Sequence, residues 1–217
     1  MWDLIVRGGP VMIPLGACSV LGLAIILERA FYLRKPRIIP PEVLRVVNSI
    51  REFKDVGMAI ALCQQNGGAF ANIVRAGLES LRDRREGIKE ALEDQGRQEV
   101  RVLERGLVIL ETVASIAPLL GLLGTVLGMQ NMFEGVSVEG LGRGAQLSAG
   151  IAEALITTIF GLSIGIASLV CFNFFTSRAE DIIADIEMYS TSLIRKLQEL
   201  PDLGPASPAR ASDPHAD

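Results

Sequence analysis

Long apolar runs alternate with charged segments along this chain, and each run is long enough to span a membrane. The first extends from about Gly8 to Leu27 and is followed by Glu28 and Arg29. The second covers residues 107–133, and the third covers residues 147–177. A helix of about 20 mostly apolar residues crosses the hydrocarbon core of a bilayer. The pattern therefore predicts three transmembrane helices.

The segments between and after these runs are charged but keep apolar residues at helical spacing. This holds for residues 34–106 and again for residues 178–200, so both are expected to form cytoplasmic helices. Gly67 and Gly68 favour a break between shorter helices within the first of them. The apolar face of that segment begins with Val43, Val46, Val47, Ile50 and Phe53.

The distribution of basic residues predicts the orientation. Lysine and arginine outnumber acidic residues in segment 34–106, whereas the glycine-bearing segment 134–146 has Arg143 as its only basic residue. Basic excess near the ends of spans marks the cytoplasmic side. We therefore expect residues 1–33 to hold an outer N-terminus and the first span, and residues 134–146 to form a short periplasmic loop. The C-terminus should be cytoplasmic, with the proline-rich residues 201–217 as a disordered tail.

Composition narrows the class of function. Of the 217 residues, 49% are hydrophobic and the formal net charge is −4, which is too small to indicate a nucleic-acid partner. The mean hydropathy is +0.37. The single histidine, His215, lies in the tail, and the three cysteines are far apart. The sequence thus predicts an all-α integral membrane protein with no catalytic residue, no metal site and no cofactor.

A few polar residues interrupt the spans and are the candidates for function. Glu153 lies in the third run, although an acidic side chain at mid-membrane costs about 2.5–3.5 kcal/mol on insertion scales. Thr157 lies one helical turn later on the same face, Thr158 points towards the flank, and Thr125 lies in the second run. Two alternatives stay open. Glu153 could only bond a neighbouring helix, and Thr125 could only bond a carbonyl of its own helix.

Small residues form stripes along the same two runs. In membranes such stripes let helices approach closely, because van der Waals packing replaces the hydrophobic driving force. Pro118, in the second run, is expected to bend the helix or loosen its backbone bonding. The predicted packing residues are Gly121, Gly124, Gly128, Gly150, Ala154, Gly161 and Gly165, with Ser168 continuing the second stripe.

Two stretches resemble the motifs of the MotA/TolQ/ExbB proton-channel family. They are the segment from Pro118 to Met129, PLLGLLGTVLGM, and the segment from Gly150 to Leu155, GIAEAL. Three spans, a large cytoplasmic loop after the first and a short outer loop after the second extend the resemblance over most of the chain. The three spans favour the ExbB/TolQ branch, since MotA-type stators have four.

The resemblance implies an assembly in the inner membrane of a bacterium. It implies a helical ring, a homopentamer, whose pore encloses helices of an ExbD/TolR-like single-span protein with a protonatable aspartate. A TonB/TolA-like protein is a further implied partner. Residue by residue, Glu153, Thr125 and Thr158 match the family positions tied to proton movement. Thr157, Cys63, Cys171 and the proline-rich tail match no such feature.

Three functions compete on this basis. The leading hypothesis is a proton-channel subunit that couples the proton motive force to work at the cell envelope, such as outer-membrane transport. A second is a non-conducting membrane scaffold for a single-span partner. A third, an intramembrane enzyme using Glu153, lacks a visible second catalytic group. The sequence leaves open which system is energised.

Overall fold

The computed structural model describes residues 9–50, 53–83, 87–139 and 144–199. Some helical positions in these ranges are described by their backbone alone; most lie next to the gaps, and Glu153 is one of them. The described residues contain seven α-helices and no strand, which confirms the all-α prediction. The helices are α1 Met12–Tyr32, α2 Lys35–Ile38, α3 Pro41–Ser49, α4 Phe53–Asn66, α5 Ala69–Asp83, α6 Ile88–Glu139 and α7 Gly144–Glu199.

Three of these helices are long and apolar enough to cross a membrane, as the sequence predicted. The helical stretches that contain an apolar segment of this length are Met12–Tyr32 in α1, Ile88–Asn131 in α6 and Gly150–Gln198 in α7. Their outward faces carry large exposed apolar side chains, including Leu119 and Ile166. Apolar surface of this kind suits lipid or another apolar helix.

Helix α1 continues past the two charged residues that end its apolar run. The run stops at Leu27, whereas the helix ends at Tyr32. Arg29 is only 5% exposed, and its guanidinium donates to the Leu103 carbonyl oxygen at 3.0 Å. The charge therefore has partners within the fold, and the helix has no need to stop where the polarity changes.

Helices α6 and α7 are longer than the spans they contain. Helix α7 is unbroken from Gly144 to Glu199, so it includes both the predicted third span and the predicted cytoplasmic helix 178–200. Neither glycine nor proline, the two residues least favourable in a helix interior, occurs between Gly165 and Pro201.

The predicted outer loop, residues 134–146, is helical throughout its described part. Helix α6 extends to Glu139 and α7 begins at Gly144. A single glycine such as Gly135 costs a helix only about 1 kcal/mol relative to alanine, too little to end it. Residues 140–143 lie outside the described residues, as do residues 1–8 and the predicted tail 201–217.

The chain forms two compact units. Unit 1 comprises residues 1–33 and 102–180, and unit 2 comprises residues 34–101 and 181–217, each as far as the structure describes them. In unit 2, Gly67 and Gly68 adopt positive φ angles of 58° and 92° between α4 and α5, where the sequence predicted a break. The ring of Phe70 packs edge-on against that of Tyr189 at 5.8 Å between centroids, in the apolar core of this unit.

The predicted apolar face of the charged segment is largely buried in unit 2. Val43 and Val47 on α3 are buried, as is Ile50 just after it. Helix α3 begins at Pro41, where the missing backbone N–H is not needed for helical bonding. Val46 is half-buried at the edge of the face. The side chain of Phe53 lies outside the described part.

Candidate functional site

Helices α6 and α7 touch along their small residues in unit 1. A Cβ added at Gly161 would lie 2.6 Å from the Ala117 carbonyl oxygen, and one added at Gly128 would lie 3.1 Å from that of Gly150. At Gly121 the nearest atom would be the Thr157 carbonyl oxygen, at 3.1 Å. The two backbones are therefore in contact, and any larger side chain at these positions would push the helices apart.

Pro118 takes part in this contact from within α6. The helix continues through it, and its ring faces Gly165 of α7, where an added Cβ would lie 2.5 Å from the proline Cγ. The proline ring thus fills the space left by a glycine on the neighbouring helix.

Thr157 is the most deeply buried polar residue at this contact. It is 0% exposed, and its hydroxyl donates to the Ala154 carbonyl oxygen of the same helix at 2.9 Å. Its side chain occupies the place where Gly124 lacks a Cβ, since an added Cβ would lie 2.6 Å from Thr157 Cβ. The family resemblance assigned Thr157 no role, and the sequence did not show that it faces α6.

Thr158 connects the two helices through its hydroxyl. The oxygen lies 3.2 Å from the Gly121 carbonyl oxygen of α6 and 3.3 Å from the Ala154 carbonyl oxygen of α7. A hydroxyl has one proton, so the two carbonyls share it, while the oxygen lone pairs stay available to accept. This half-buried hydroxyl can therefore receive a hydrogen bond from a third group.

Thr125 bonds within its own helix in this single chain. Its hydroxyl donates to the Leu122 carbonyl oxygen at 2.6 Å. This is the bonding that the alternative interpretation of Thr125 expected. The residue is half-buried, so its oxygen remains accessible from one side.

Glu153 lies on α7 one helical turn before Thr157 and five residues before Thr158. Its side chain lies outside the described part of the structure, so its role stays a prediction. The helical positions still have a consequence. Five residues correspond to about 140° of rotation, so positions 153 and 158 lie on different sides of the α7 backbone, with position 157 between them.

Helix α1 packs on this helix pair. An added Cβ at Gly22 would lie 3.3 Å from the Ser168 hydroxyl and 3.5 Å from Val113. Ser168, which continues the predicted stripe of α7, is buried. The stripe is therefore shared: its first part faces α6, and Ser168 meets α1.

A buried arginine at the end of α1 was not singled out by the sequence. Arg29 donates to the carbonyl oxygens of Val102 and Leu103 on α6, at 3.4 Å and 3.0 Å. Its guanidinium lies 5.2 Å from the centroid of the Tyr32 ring and 3.3 Å from the exposed carboxylate of Glu28. Its Nε has no hydrogen-bond partner among the described residues. An arginine beside the end of an apolar run would ordinarily be interpreted as an exposed flank.

The cysteines form no site. Cys63 is buried in α4, and burial raises the pKa of its thiol from 9.0 to about 11, against the lowering effect of nearby Arg75. Cys18 and Cys171 are free and half-buried. Among the described residues, no group of three histidine, cysteine or acidic side chains could hold a metal ion.

The sequence that forms this site matches a known protein family. The model of the MotA/TolQ/ExbB proton channel family matches residues 66–188, more than half of the chain. Gly121, Thr125, Glu153 and Thr158 all lie inside that match. The predicted resemblance at family level is therefore confirmed.

Individual relatives agree with the ExbB/TolQ branch. A protein of Methanothermobacter thermautotrophicus, named as a biopolymer transport protein ExbB homolog, is 31% identical over 182 residues, covering 83% of this chain and 64% of the relative. An ExbB-like biopolymer transport protein of Synechocystis sp. is 35% identical over 182 residues, covering 78% of this chain and 82% of the relative. The Tol-Pal system protein TolQ of Pseudomonas aeruginosa is 39% identical over 98 residues, covering 45% of this chain and 42% of the relative. The chain thus spans less than two thirds of the first of these relatives.

Proposed function

Because the chain belongs to the MotA/TolQ/ExbB proton channel family, we propose that it is the proton-channel subunit of an energy-transducing complex in the inner membrane. The complex would couple the proton motive force to work at the cell envelope, such as outer-membrane transport. The family is one of proton channels rather than of enzymes, and the three apolar helices fit a multi-pass inner-membrane protein.

The observation that carries the proposal is the hydroxyl of Thr158 at the α6–α7 contact. It donates towards Gly121 of one helix and Ala154 of the other, and its lone pairs remain free. A proton path through a membrane needs hydroxyls or waters that both accept and donate. Thr158 has that capacity within an apolar segment, at the contact between α6 and α7. Each of these helices carries one of the two family motifs.

A titratable group is the second requirement, because a threonine hydroxyl does not ionise at physiological pH. We assign that role on this chain to Glu153, because a carboxylate within a membrane span is energetically costly and is therefore a candidate for function by default. Thr125 would extend the path along α6. Its hydroxyl now donates to Leu122 and would have to leave that bond to pass a proton onward.

The remaining parts would come from other chains. We propose a homopentameric ring around the helices of an ExbD/TolR-like single-span protein, whose aspartate would supply a second carboxylate. A TonB/TolA-like protein would carry the resulting motion to the envelope. The outward faces of α6 and α7 suit such an assembly, since they expose large apolar side chains such as Leu122 and Ile159.

Reconstitution tests the proposal directly. The chain and an ExbD/TolR-type partner from the same genome are placed in liposomes, and proton flux is followed with an enclosed pH dye under an imposed potential. We expect partner-dependent flux that Glu153→Gln and Glu153→Ala abolish, with Gln preserving the ring better than Ala. Glu111→Gln is the matched control, because Glu111 is an exposed carboxylate on α6 with no assigned role.

A non-conducting scaffold is the second candidate, and the bond of Thr125 to its own helix favours it. In that case Glu153→Gln should be nearly silent, because a neutral amide still bonds a neighbouring helix. Full flux in Glu153→Gln would remove Glu153 as an obligatory titrating group, and absent flux in the wild type would favour the scaffold.

A further inference from the structure

Thr157 and Gly124 form a matched pair at the centre of the α6–α7 contact. An added Cβ at Gly124 would meet the Thr157 side chain alone among its three nearest neighbours: the hydroxyl oxygen, Cβ at 2.6 Å and Cγ2 at 2.9 Å. Thr157 is fully buried there. The side chain of Thr157 on α7 therefore fills the space beside Gly124 on α6, which we call the notch of Gly124.

The next contact along the helices is the one that the proposed pathway uses. Thr158 follows Thr157 directly, and Gly121 precedes Gly124 by one turn of α6. The hydroxyl of Thr158 reaches the Gly121 carbonyl oxygen at 3.2 Å, slightly beyond the roughly 2.5–3.0 Å that is usual for a hydroxyl donor. A shift of less than an ångström between the helices would break this bond.

We propose that Thr157 is a positioning residue: its side chain, held in the notch of Gly124, sets the separation and register of α6 and α7 that keep the Thr158 hydroxyl at the Gly121 carbonyl. This role rests on the proposed function, because it assigns Thr157 a part in proton movement through Thr158. It requires the shape of the Thr157 side chain rather than its hydroxyl, which already donates to Ala154 of its own helix.

The physical reason is that close-packed helices respond to both a lost and an added methyl group. Shortening the Thr157 side chain leaves a void that the helices close by shifting, and filling the notch forces them apart. Either change moves Thr158 relative to Gly121. Misplacement of a reacting group by about 1 Å costs up to about a hundredfold in rate.

Four variants test the shape requirement in the reconstituted complex with its partner. Thr157→Val keeps the shape and should retain flux close to that of the wild type, whereas Thr157→Ala should lose roughly tenfold. Gly124→Ala should lose flux through overpacking. The double variant Gly124→Ala/Thr157→Gly adds a methyl group on α6 and removes the facing side chain on α7, and it should recover part of that loss. Gly16→Ala is the control, since its added Cβ meets nothing within 4 Å.

A double-mutant cycle separates positioning from a merely structural effect. If Thr157 acts through Thr158, then adding Thr157→Ala to Thr158→Val should cause little further loss of flux, whereas independent effects would multiply. The quantity of intact ring, measured by native mass spectrometry, should stay the same across these variants. The carbonyl ¹³C shift of Gly121, followed by solid-state NMR, should move in Thr157→Ala and stay unchanged in Thr157→Val.

The outcomes are distinct. Loss of flux in Thr157→Val with an intact ring would overturn the proposal and make the hydroxyl the required group. Wild-type flux and an unmoved Gly121 carbonyl in Thr157→Ala would overturn it as well. If the wild type itself conducts no protons, the proposed function fails, and the Gly121 carbonyl shift still decides whether Thr157 positions Thr158.

Discussion

The guanidinium of Arg29 occupies the space that Gly106 leaves open on α6. A Cβ added at Gly106 would lie 2.8 Å from Cζ and from Nη2 of Arg29, and closer still to Nε. In this position the guanidinium reaches the Leu103 carbonyl oxygen at 3.0 Å. Helix α1 is thus held to α6 by a buried cation that requires a glycine opposite it.

The pair of Arg29 and Gly106 should therefore be sensitive to size. We expect Gly106→Ala to destabilise the protein by about 1–3 kcal/mol, because the added methyl group displaces the guanidinium. Arg29→Lys should also destabilise it, since an ammonium on a flexible stem cannot reproduce the planar donor geometry. Thermal unfolding in detergent measures both, and Gly16→Ala is the control. Unchanged melting of Gly106→Ala would show that Arg29 can leave without loss.

Gly161 should be sensitive to the addition of any side chain. Its added Cβ would lie 2.6 Å from the Ala117 carbonyl oxygen and 2.8 Å from Gly121 Cα, both backbone atoms that cannot rotate away. We expect Gly161→Ala to cost about 1–3 kcal/mol and to weaken the oligomer, and Gly161→Leu to do so more strongly. Thermal unfolding in detergent measures the loss of stability, and native mass spectrometry measures the oligomer. A variant equally stable in both measurements would contradict this assignment.

The two pathway threonines should differ in their structural cost. Thr158→Val removes a bond between helices, and such bonds average about 0.6 kcal/mol in a membrane. Thr125→Val removes only a bond within α6 and should leave stability unchanged. Both should impair proton flux if both hydroxyls relay protons. Normal flux in both variants at normal protein level would exclude the relay role.

The Cys63 thiol should be inert at neutral pH. Burial raises its pKa from 9.0 to about 11, so little of the reactive thiolate is present at neutral pH. Because the pKa is raised in the folded state, its contribution to stability is fully present below about pH 9 and is lost as the pH rises through about 11. Alkylation followed by mass spectrometry, with Cys18 and Cys171 replaced by serine, checks this. Fast labelling at pH 8 in the folded protein, as fast as in denaturant, would contradict it.

The orientation can be tested independently of conduction. Reporter fusions should place residues 60 and 190 in the cytoplasm and residue 140 outside, because basic residues concentrate in the segment that contains residue 60. A matched fusion series in which Arg143 is replaced by glutamine should give the same result, since one basic residue does not decide the topology. Residue 60 on the outer side would overturn the orientation.

The sequence by itself determined the all-α class of this protein and the number of its membrane-length apolar segments. An apolar run of about 20 residues is long enough to cross a bilayer as a helix. The helix is favoured there because it pairs its own backbone N–H and C=O groups where no water is available. The motif around Thr125 and the motif around Glu153 likewise determined the family. These features are local in the chain, so they could be predicted without knowing which residues meet.

Only the tertiary structure decided which residues meet, because contacts between helices depend on their rotation and register. Periodicity placed Thr157 on the same helix face as Glu153, but it did not show that the Thr157 side chain contacts Gly124 of α6. The same holds for Arg29, whose charge predicts exposure until Gly106 provides room and two carbonyl oxygens of α6 accept its hydrogens. A notch and the side chain that fills it are far apart in the chain, and their complementarity exists only once the helices are packed.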